Sequence, residues 1–342
     1  MPQHIQLSQK TQFLEDLPPS IPRYAYNGID QFHEIMSLER ERFERSNDSK
    51  AIRASSRLTQ DRRDRQHLHS MHQRPRYHIL HDNNEPTSQL TSELKNESPN
   101  QSTNELTSGA TTESTNGCVL FEIKERDIRT DFLDRIQAAN LSLRLSFDFK
   151  TSLLLVKMMG PVHSEMQSRF NNMITFALTA MSLQFEFQNY SGVIIRGDDS
   201  GKEADWGWGP AAGQPGHTGK PTVSLEVAVS ESQAKLERDF RWWLSPTKGR
   251  ANLTVTIKVN RRAPSLTIDI WQWVDIHIQR TQQVTIAKVD GQVFVTGDPL
   301  IIPFDLLFLR QPTAGSAESD IILHQQALVP FAESVWRVQG FT

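Results

Sequence analysis

Strict alternation of apolar and polar residues is the clearest pattern in the chain, and it is most regular from Leu141 to Lys150. The odd-numbered positions of this segment are Leu or Phe, and the even-numbered positions are polar or charged. Successive side chains of a strand point to opposite faces, so the segment is predicted to be a half-buried β-strand. The segments VIIRG, TVSLEVAVS, NLTVTIKVN and SLTIDIWQWV predict further strands, and VTIAKVDGQVFVTG predicts a hairpin with Asp-Gly at its turn.

Two helices are predicted from the spacing of apolar residues and from capping boxes. Ser164 with Gln167 begins the first helix, whose apolar residues recur every three or four positions. Ser230 with Gln233 begins the second, over about residues 231–244. Strands and helices therefore follow each other irregularly. This order predicts an α/β or α+β fold with a mixed central sheet flanked by helices, and it disfavours a bundle or a β-sandwich.

The composition divides the chain into four segments. Residues 1–45 carry a possible short docking helix at positions 28–45, and residues 46–117 are predicted to be a disordered linker because they lack apolar residues to bury. The folded domain is expected at residues 118–312. A C-terminal extension is expected at residues 313–342.

Basic residues are concentrated at the start of the predicted linker. Positions 40–76 hold eleven Lys or Arg and five acidic residues, with Arg62, Arg63 and Arg65 at the centre. Such a tract is typical of nucleic-acid binding or nuclear import, and equally of a solvated linker.

Composition excludes several classes of protein and site. The 342 residues carry a net charge of -3 and one cysteine, so a disulfide framework and a zinc site built from cysteines are excluded. The sequence shows no signal peptide, no apolar run long enough to span a bilayer, no phosphate-binding loop and no serine-hydrolase elbow. We therefore expect an intracellular protein, nuclear or cytosolic, with neither a membrane segment nor a nucleotide cofactor.

Two carboxylates carry the candidate chemistry. Glu226 lies among apolar residues of a predicted interior strand, where a carboxylate without a partner costs several kcal/mol. Asp205 lies 21 residues upstream, between a likely strand and a loop rich in Gly, Pro and Trp. Carboxylates that converge at one edge of a sheet can hold divalent cations, which activate water against a phosphodiester.

The run KEAD, followed by PTVSLEVAVSES and KLERDFRWWL, resembles the PD-(D/E)XK nuclease superfamily, and within it the restriction endonuclease-like proteins. The resemblance spans about residues 140–310. It implies a restriction-endonuclease-like core and a Mg²⁺- or Mn²⁺-dependent endonuclease that acts on nucleic acid, with DNA as the first expectation and a homodimer as a possible assembly. The sequence departs from the family pattern at Ala204, where proline is usual, and at Ala228, where lysine is usual.

The resemblance assigns roles to individual residues. Asp205 and Glu226 would be metal ligands, and Glu165 would be an auxiliary acid. Lys235 would orient the attacking water, with Lys258 as the alternative. Each position also has a structural interpretation. Asp205 is then a turn aspartate, Glu226 a solvent-facing strand residue and Glu165 a partner of the helix dipole. Lys235 is then paired on the helix surface with Asp239, four positions on.

Three further positions have two interpretations each. Trp206 and Trp208 either pack in the core or stack on nucleic-acid bases, and His163 either has a structural role or approaches the site. If the lysine is not at the site, the same fold would serve as a catalytically inactive DNA-binding or protein-interaction module. If the resemblance is a coincidence, the chain is an α/β interaction domain on a tether.

Overall fold

The structure, a computed structural model, describes residues 14, 17, 20–46, 117–124, 132 and 143–341. Arg62, Arg63 and Arg65 lie outside the described residues, as does nearly all of the predicted linker. Within the described part, no helix is long and apolar enough to cross a membrane.

The described residues form fifteen strands and five helices. The strands are β1 (Arg23–Ala25), β2 (Cys118–Glu122), β3 (Leu143–Asp148), β4 (Leu153–Met158), β5 (Phe187–Asn189), β6 (Ile194–Arg196), β7 (Ser200–Glu203), β8 (Trp206–Pro210), β9 (Val223–Ala228), β10 (Leu253–Val259), β11 (Ser265–Val274), β12 (His277–Val289), β13 (Gln292–Thr296), β14 (Leu300–Ile302) and β15 (Ile321–Leu323). The helices are α1 (29–46), α2 (Pro161–Ala180), α3 (Gln233–Leu244), α4 (Phe304–Phe308) and α5 (Gln325–Gln339).

The strands are divided between two mixed sheets and a short ribbon. The first sheet has the order β1-β2-β4-β3-β7-β6, the second has the order β13-β12-β11-β10-β9-β8-β5, and β14 pairs with β15. The β1–β2 and β9–β10 pairs are parallel, and the other pairs are antiparallel. The predicted α+β class is confirmed. The prediction of a single mixed sheet is corrected, because β7 belongs to the six-stranded sheet and β8, the next strand in the chain, belongs to the seven-stranded sheet.

Helices cover both faces of the seven-stranded sheet around β9. All six residues of β9 are buried. Val223, Leu225 and Val227 pack in one core with Met166 and Phe170 of α2, which gives the predicted apolar stripe of that helix its partner. Glu226 lies on the opposite face, towards α3. The alternation read from the sequence therefore places a carboxylate between a sheet and a helix.

Both helix starts differ from the sequence prediction. Helix α2 begins at Pro161 after Gly160, one turn before Ser164, because proline suits the first helical position, where an N–H has no partner. Helix α3 is capped by Ser232, whose Oγ accepts a hydrogen bond from Lys235 N at 3.1 Å. Ser230 does not cap it. The Glu231 carboxylate accepts Val229 N at 3.1 Å, and this contact holds the chain in a turn before the helix starts.

Both ends of the described chain contribute to the fold. The predicted helix at 28–45 is present at 29–46, and its Phe32 and Met36 are buried against β2 and β4. The segment predicted as a C-terminal extension supplies β15 and α5 instead. Phe331 and Trp336 of α5 are buried in the same core as α2 and the seven-stranded sheet. The folded part therefore extends well beyond residue 312.

Candidate active site

The connection between the two sheets brings the candidate site residues together. Strand β7 ends at Glu203 and β8 begins at Trp206, so Asp205 lies where the chain passes from one sheet to the other. Strand β8 pairs with β9 in the register Trp206↔Leu225, and one further step along this register places Asp205 opposite Glu226. Directly opposed residues have Cβ atoms about 5 Å apart. The structure therefore brings together the two carboxylates identified in the sequence.

Asp205 is buried at 1% exposure and held from several sides. Its Oδ2 accepts a hydrogen bond from Val227 N at 2.7 Å, and it lies 3.0 Å from His163 Nε2 and 3.4 Å from Lys157 Nζ. The His163 contact is close but is not aligned as a hydrogen bond. Burial alone would raise the pKa of Asp205, but His163 and Lys157 outweigh burial and hold this pKa well below its usual range. Asp205 is therefore a fixed anion.

Glu226 is equally buried, but its charge is less well compensated. Its Oε1 accepts a hydrogen bond from Trp243 Nε1 at 2.5 Å and lies 3.0 Å from Lys202 Nζ. Burial raises the pKa of Glu226 to about 7, against the lowering effect of Lys202, and the negative charge of Asp205 adds to the rise. Near neutral pH this carboxylate is poised between its two forms, and an additional cation would favour the ionised form.

Lys202 is the lysine that the structure places beside Glu226. Its Nζ lies 2.6 Å from Asp239 Oδ1 in addition to its contact with Glu226. Lys235, the lysine predicted from the sequence, pairs with the other oxygen of Asp239. Burial would raise the pKa of Asp239, but Lys202 and Lys235 outweigh burial and hold this pKa below its usual range. Asp239 therefore joins the two lysines in one buried network.

A second ion pair borders the same carboxylates. Lys157 of β4 pairs with Glu231 at 2.6 Å and donates a hydrogen bond to Val227 O at 3.1 Å. Lys157 loses solvation on burial, but Asp205 and Glu231 outweigh that loss and raise its pKa. The ammonium group is therefore permanently charged and anchors the end of β9 to the six-stranded sheet.

A small cavity and a larger cleft meet at the network. The cavity has a volume of about 20 Å³, and its lining includes Lys202, Asp205 and Glu226. This is room for about one water molecule. The cleft has a volume of about 630 Å³ and shares Lys202, Lys235 and Asp239 with the cavity. The carboxylates therefore line the inner of two adjoining cavities, with Lys202, Lys235 and Asp239 between them and the cleft.

The donor set fits one kind of metal site. Among the described residues, no group of three or more His, Cys, Asp or Glu side chains is arranged to hold a metal ion by itself. Mg²⁺, however, is usually bound by one or two carboxylates, with waters and substrate phosphates completing its coordination. Asp205 and Glu226 supply two carboxylates beside a water-sized cavity. Two carboxylates are the number of protein ligands that such a Mg²⁺ or Mn²⁺ site uses, and they do not form a closed protein cage.

The remaining predicted residues lie elsewhere. Glu165 pairs with Arg169 at 2.8 Å, and Lys258 donates a hydrogen bond to Gln233 Oε1 at 3.1 Å. Neither residue lines the cavity or the cleft.

Both tryptophans beside Asp205 pack against the protein. Trp208 is fully buried, and its Nε1 donates a hydrogen bond to Asn171 Oδ1 at 3.0 Å. Trp206 is half-buried and packs against the same core. Of the two interpretations drawn from the sequence, core packing is therefore the one that fits Trp208.

Sequence reasoning missed Lys202, Lys157 and Asp239. Lys202 lies in the KEAD run, three residues before Asp205, and this short spacing was the available signal. Lys157 and Asp239 reach the site from β4 and α3. No local pattern marks Lys157, and Asp239 is marked only as the residue four positions after Lys235. Their places at the site depend on the packing of distant elements.

Comparisons with known proteins give little further guidance. No protein-family model matches the chain. No curated protein matches it significantly. A solved structure that resembles part of the chain is a candidate nuclease belonging to DUF820 from Anabaena variabilis ATCC 29413, at 13% identity and a TM-score of 0.33, over 58% of this chain and 98% of the other. A likeness this distant does not establish a function for this chain.

Proposed function

We propose that this protein is a metal-dependent nuclease that hydrolyses phosphodiester bonds. The observation that carries the proposal is the buried group of two acids and a lysine: Lys202 Nζ lies 3.0 Å from Glu226 Oε1, and Asp205 and Glu226 line one water-sized cavity. Burying such a group is costly, and a structural role alone would be met as well by apolar residues. Paired carboxylates with an adjacent ammonium group are the components needed for phosphodiester hydrolysis.

In this proposal, Asp205 and Glu226 would be the protein ligands of Mg²⁺ or Mn²⁺. The bound cation would supply charge neutralisation of the phosphate and a lowered pKa for the attacking water. His163 and Lys157 fix the Asp205 carboxylate in its ionised form. Lys202, held between Glu226 and Asp239, orients the water and stabilises the charge that develops on the phosphate oxygens.

A cleavage assay tests the proposal. The wild-type protein should cut labelled plasmid or single-stranded DNA with Mg²⁺ or Mn²⁺, and EDTA should stop the reaction. Asp205→Asn, Glu226→Gln and Lys202→Met should each lose about 100- to 10,000-fold in rate, the usual contribution of one positioned catalytic group. Lys258→Met removes the same charge outside the site and should cut at the wild-type rate.

Folding must be checked separately, because removing one partner of a buried ion pair is strongly destabilising. Thermal unfolding of each variant supplies this check, and Lys202→Arg keeps the charge with altered geometry. A folded Lys202→Arg protein with little activity would support precise positioning by the ammonium group. A folded wild-type protein that cuts no DNA or RNA with either metal would overturn the proposal and favour an inactive nuclease-fold module.

A further inference from the structure

The cleft beside the candidate site carries an excess of positive charge. Six cationic and four anionic side chains line it. The cations are Lys150, Lys202, Lys235, Arg238, Arg241 and Lys248. Lys150 and Lys248 share one acid, since Asp199 lies 2.6 Å from the former and 3.8 Å from the latter. Asp148 also lines the cleft and interacts with Lys150, so the excess of two positive charges belongs to the lining as a whole.

The walls of the cleft are held together at its mouth. A Cβ on Gly197 would lie 2.8 Å from the Cα of Lys248, so glycine permits the close approach of the β6–β7 turn to the loop after α3. Asp198 N donates a hydrogen bond to Thr247 O at 3.1 Å across the same contact. Backbone contacts therefore fix the position of the Lys248 backbone at the mouth of the cleft.

An aromatic ring completes the lining. Trp242 of α3 lines the cleft and is half-buried, and its Nε1 donates a hydrogen bond to Ser200 Oγ at 3.0 Å. Its ring also packs edge-on against Trp243 at 4.8 Å. A basic groove with a fixed aromatic side chain is the usual arrangement of proteins that bind single-stranded nucleic acid.

The size of the cleft and the depth of the site limit what can enter. A volume of about 630 Å³ is that of a pocket for one drug-sized molecule. A DNA duplex is wider than such a pocket, because its two backbones lie on either side of a major groove about 12 Å wide. Asp205 and Glu226 are only 1% and 3% exposed, behind Lys202, Lys235 and Asp239. Neither carboxylate lines the cleft, so a strand must bend into the cleft for its phosphate to approach Lys202, which lines both spaces.

We infer that the cleft binds a segment of single-stranded nucleic acid, with phosphates at Lys150 and Lys248 and a base beside Trp242. This inference rests on the proposed nuclease function, because it names the substrate class of that site. An intact duplex is excluded from the cleft until one strand separates from the other.

Equilibrium binding in EDTA tests the inference apart from cleavage. A fluorescein-labelled single strand and a hairpin duplex of matched composition are titrated with the full-length protein over a range of salt concentrations. The wild-type protein should bind the single strand at least about 10-fold more tightly. The Lys150→Met, Lys248→Met double variant should lose that preference, and its dependence of log K on log salt should fall by about 1.4, because each single-strand phosphate contributes about 0.7.

The matched control is the Lys258→Met, Lys288→Met double variant, which removes two lysines outside the cleft and should behave as wild type. Equal affinity for duplex and single strand, unchanged binding by the cleft variant, or no binding at all would each overturn the inference. Lysine-dependent binding of single strands without cleavage in any metal would reject the nuclease and leave the cleft assignment standing. Cleavage of closed duplex as fast as of single strands would support the nuclease and reject the cleft assignment.

Discussion

At the scale of single residues, the cysteine of this chain illustrates how burial controls reactivity. Cys118 is 7% exposed and lines the small cavity beside Lys235 and Lys157. Burial raises the pKa of its thiol to about 11, and Glu231 adds to the rise. Since the thiolate is the reactive form, the native protein at pH 8 should react with an alkylating reagent about 100-fold more slowly than a free cysteine.

The measurement is a thiol-labelling time course followed by mass. Unfolding in guanidinium should release one rapidly reacting thiol per chain, because Cys118 is the only cysteine. Rapid labelling of the native protein would show that the cavity opens frequently and that burial does not protect the thiol.

The site also shows which residues a sequence can reveal. Glu226 was predictable, because alternation along a strand marks an acid among apolar residues. Asp205 was identified as the residue before a loop, but strand β8 follows it directly, so the loop expected there is wrong. The choice of lysine was not predictable. Lys202 and Lys235 share Asp239, and the lysine nearer to Glu226 is decided by how β7 packs beside α3. That packing joins residues 37 positions apart in the chain, which no periodic pattern records.

At the scale of secondary-structure elements, variants of Gly291 and Gly297 distinguish the cost of steric conflict from the cost of backbone strain. Gly297 and Gly291 both have φ near +82°, but a Cβ on Gly297 would lie 2.0 Å from Gln283 O, whereas nothing lies within 4 Å of one on Gly291. Gly291→Ala should cost about 1 kcal/mol of unfolding free energy, from the left-handed backbone alone. Gly297→Ala should cost about 2 kcal/mol more, because the backbone of β12 must move. Urea unfolding of both variants gives the difference, and equal costs would contradict the steric argument.

The segment after α4 is stabilised by a pair with a defined pH dependence. Arg310 donates to both Glu318 oxygens at 2.7 Å, and Thr313 N donates to Oε2 at 2.6 Å. These contacts lower the pKa of Glu318 to about 2. The hydrogen bonds from Arg310 are the larger cause, and the hydrogen bond from Thr313 N is the second. The folded-state pKa lies below the unfolded value, so the pair stabilises the protein above about pH 4.5, and this contribution is lost as the pH falls towards 2.

Glu318→Gln should therefore lower the unfolding temperature at pH 7, and the difference from wild type should shrink at pH 3 and be nearly absent at pH 2. Glu333→Gln, at an exposed position of α5, serves as the control. A difference that is the same at pH 7 and pH 2 would mean that the effect of Glu318 does not depend on its charge.

Predictions of whole elements were more secure than predictions of their ends and their grouping. The apolar stripe of α2 and the Asp290-Gly291 turn were read correctly, since each depends on local periodicity or turn chemistry. The start of α2 was misplaced because Pro161 competes with Ser164 as a start signal, and both are valid locally. The grouping of the strands into two sheets was not predictable, because it depends on pairings such as β1 with β2, which join residues nearly a hundred positions apart.

At the scale of the whole molecule, the candidate site belongs to neither sheet alone. Lys202 and Lys157 come from the six-stranded sheet, and Glu226 comes from the seven-stranded sheet. Asp205 lies on the connection between them. The geometry of the site therefore depends on the packing that fixes both sheets, and substitutions far from the carboxylates should alter activity through that packing.

The C-terminal helix provides the sharpest test of this dependence, because α5 packs against α2, which carries His163. Phe331 is 3% exposed, and its ring meets that of Phe170 edge-on at 6.1 Å. Phe331→Ala should cost about 3 to 5 kcal/mol of unfolding free energy in urea. Val338→Ala, at a position of the same helix that is 42% exposed, should cost less than about 0.5 kcal/mol. If α5 were an appendage outside the core, the two variants would unfold at the same urea concentration, and removal of residues 313–342 would leave a cooperative transition. We expect that removal to abolish the transition, because it exposes the α2 face that supports Asp205.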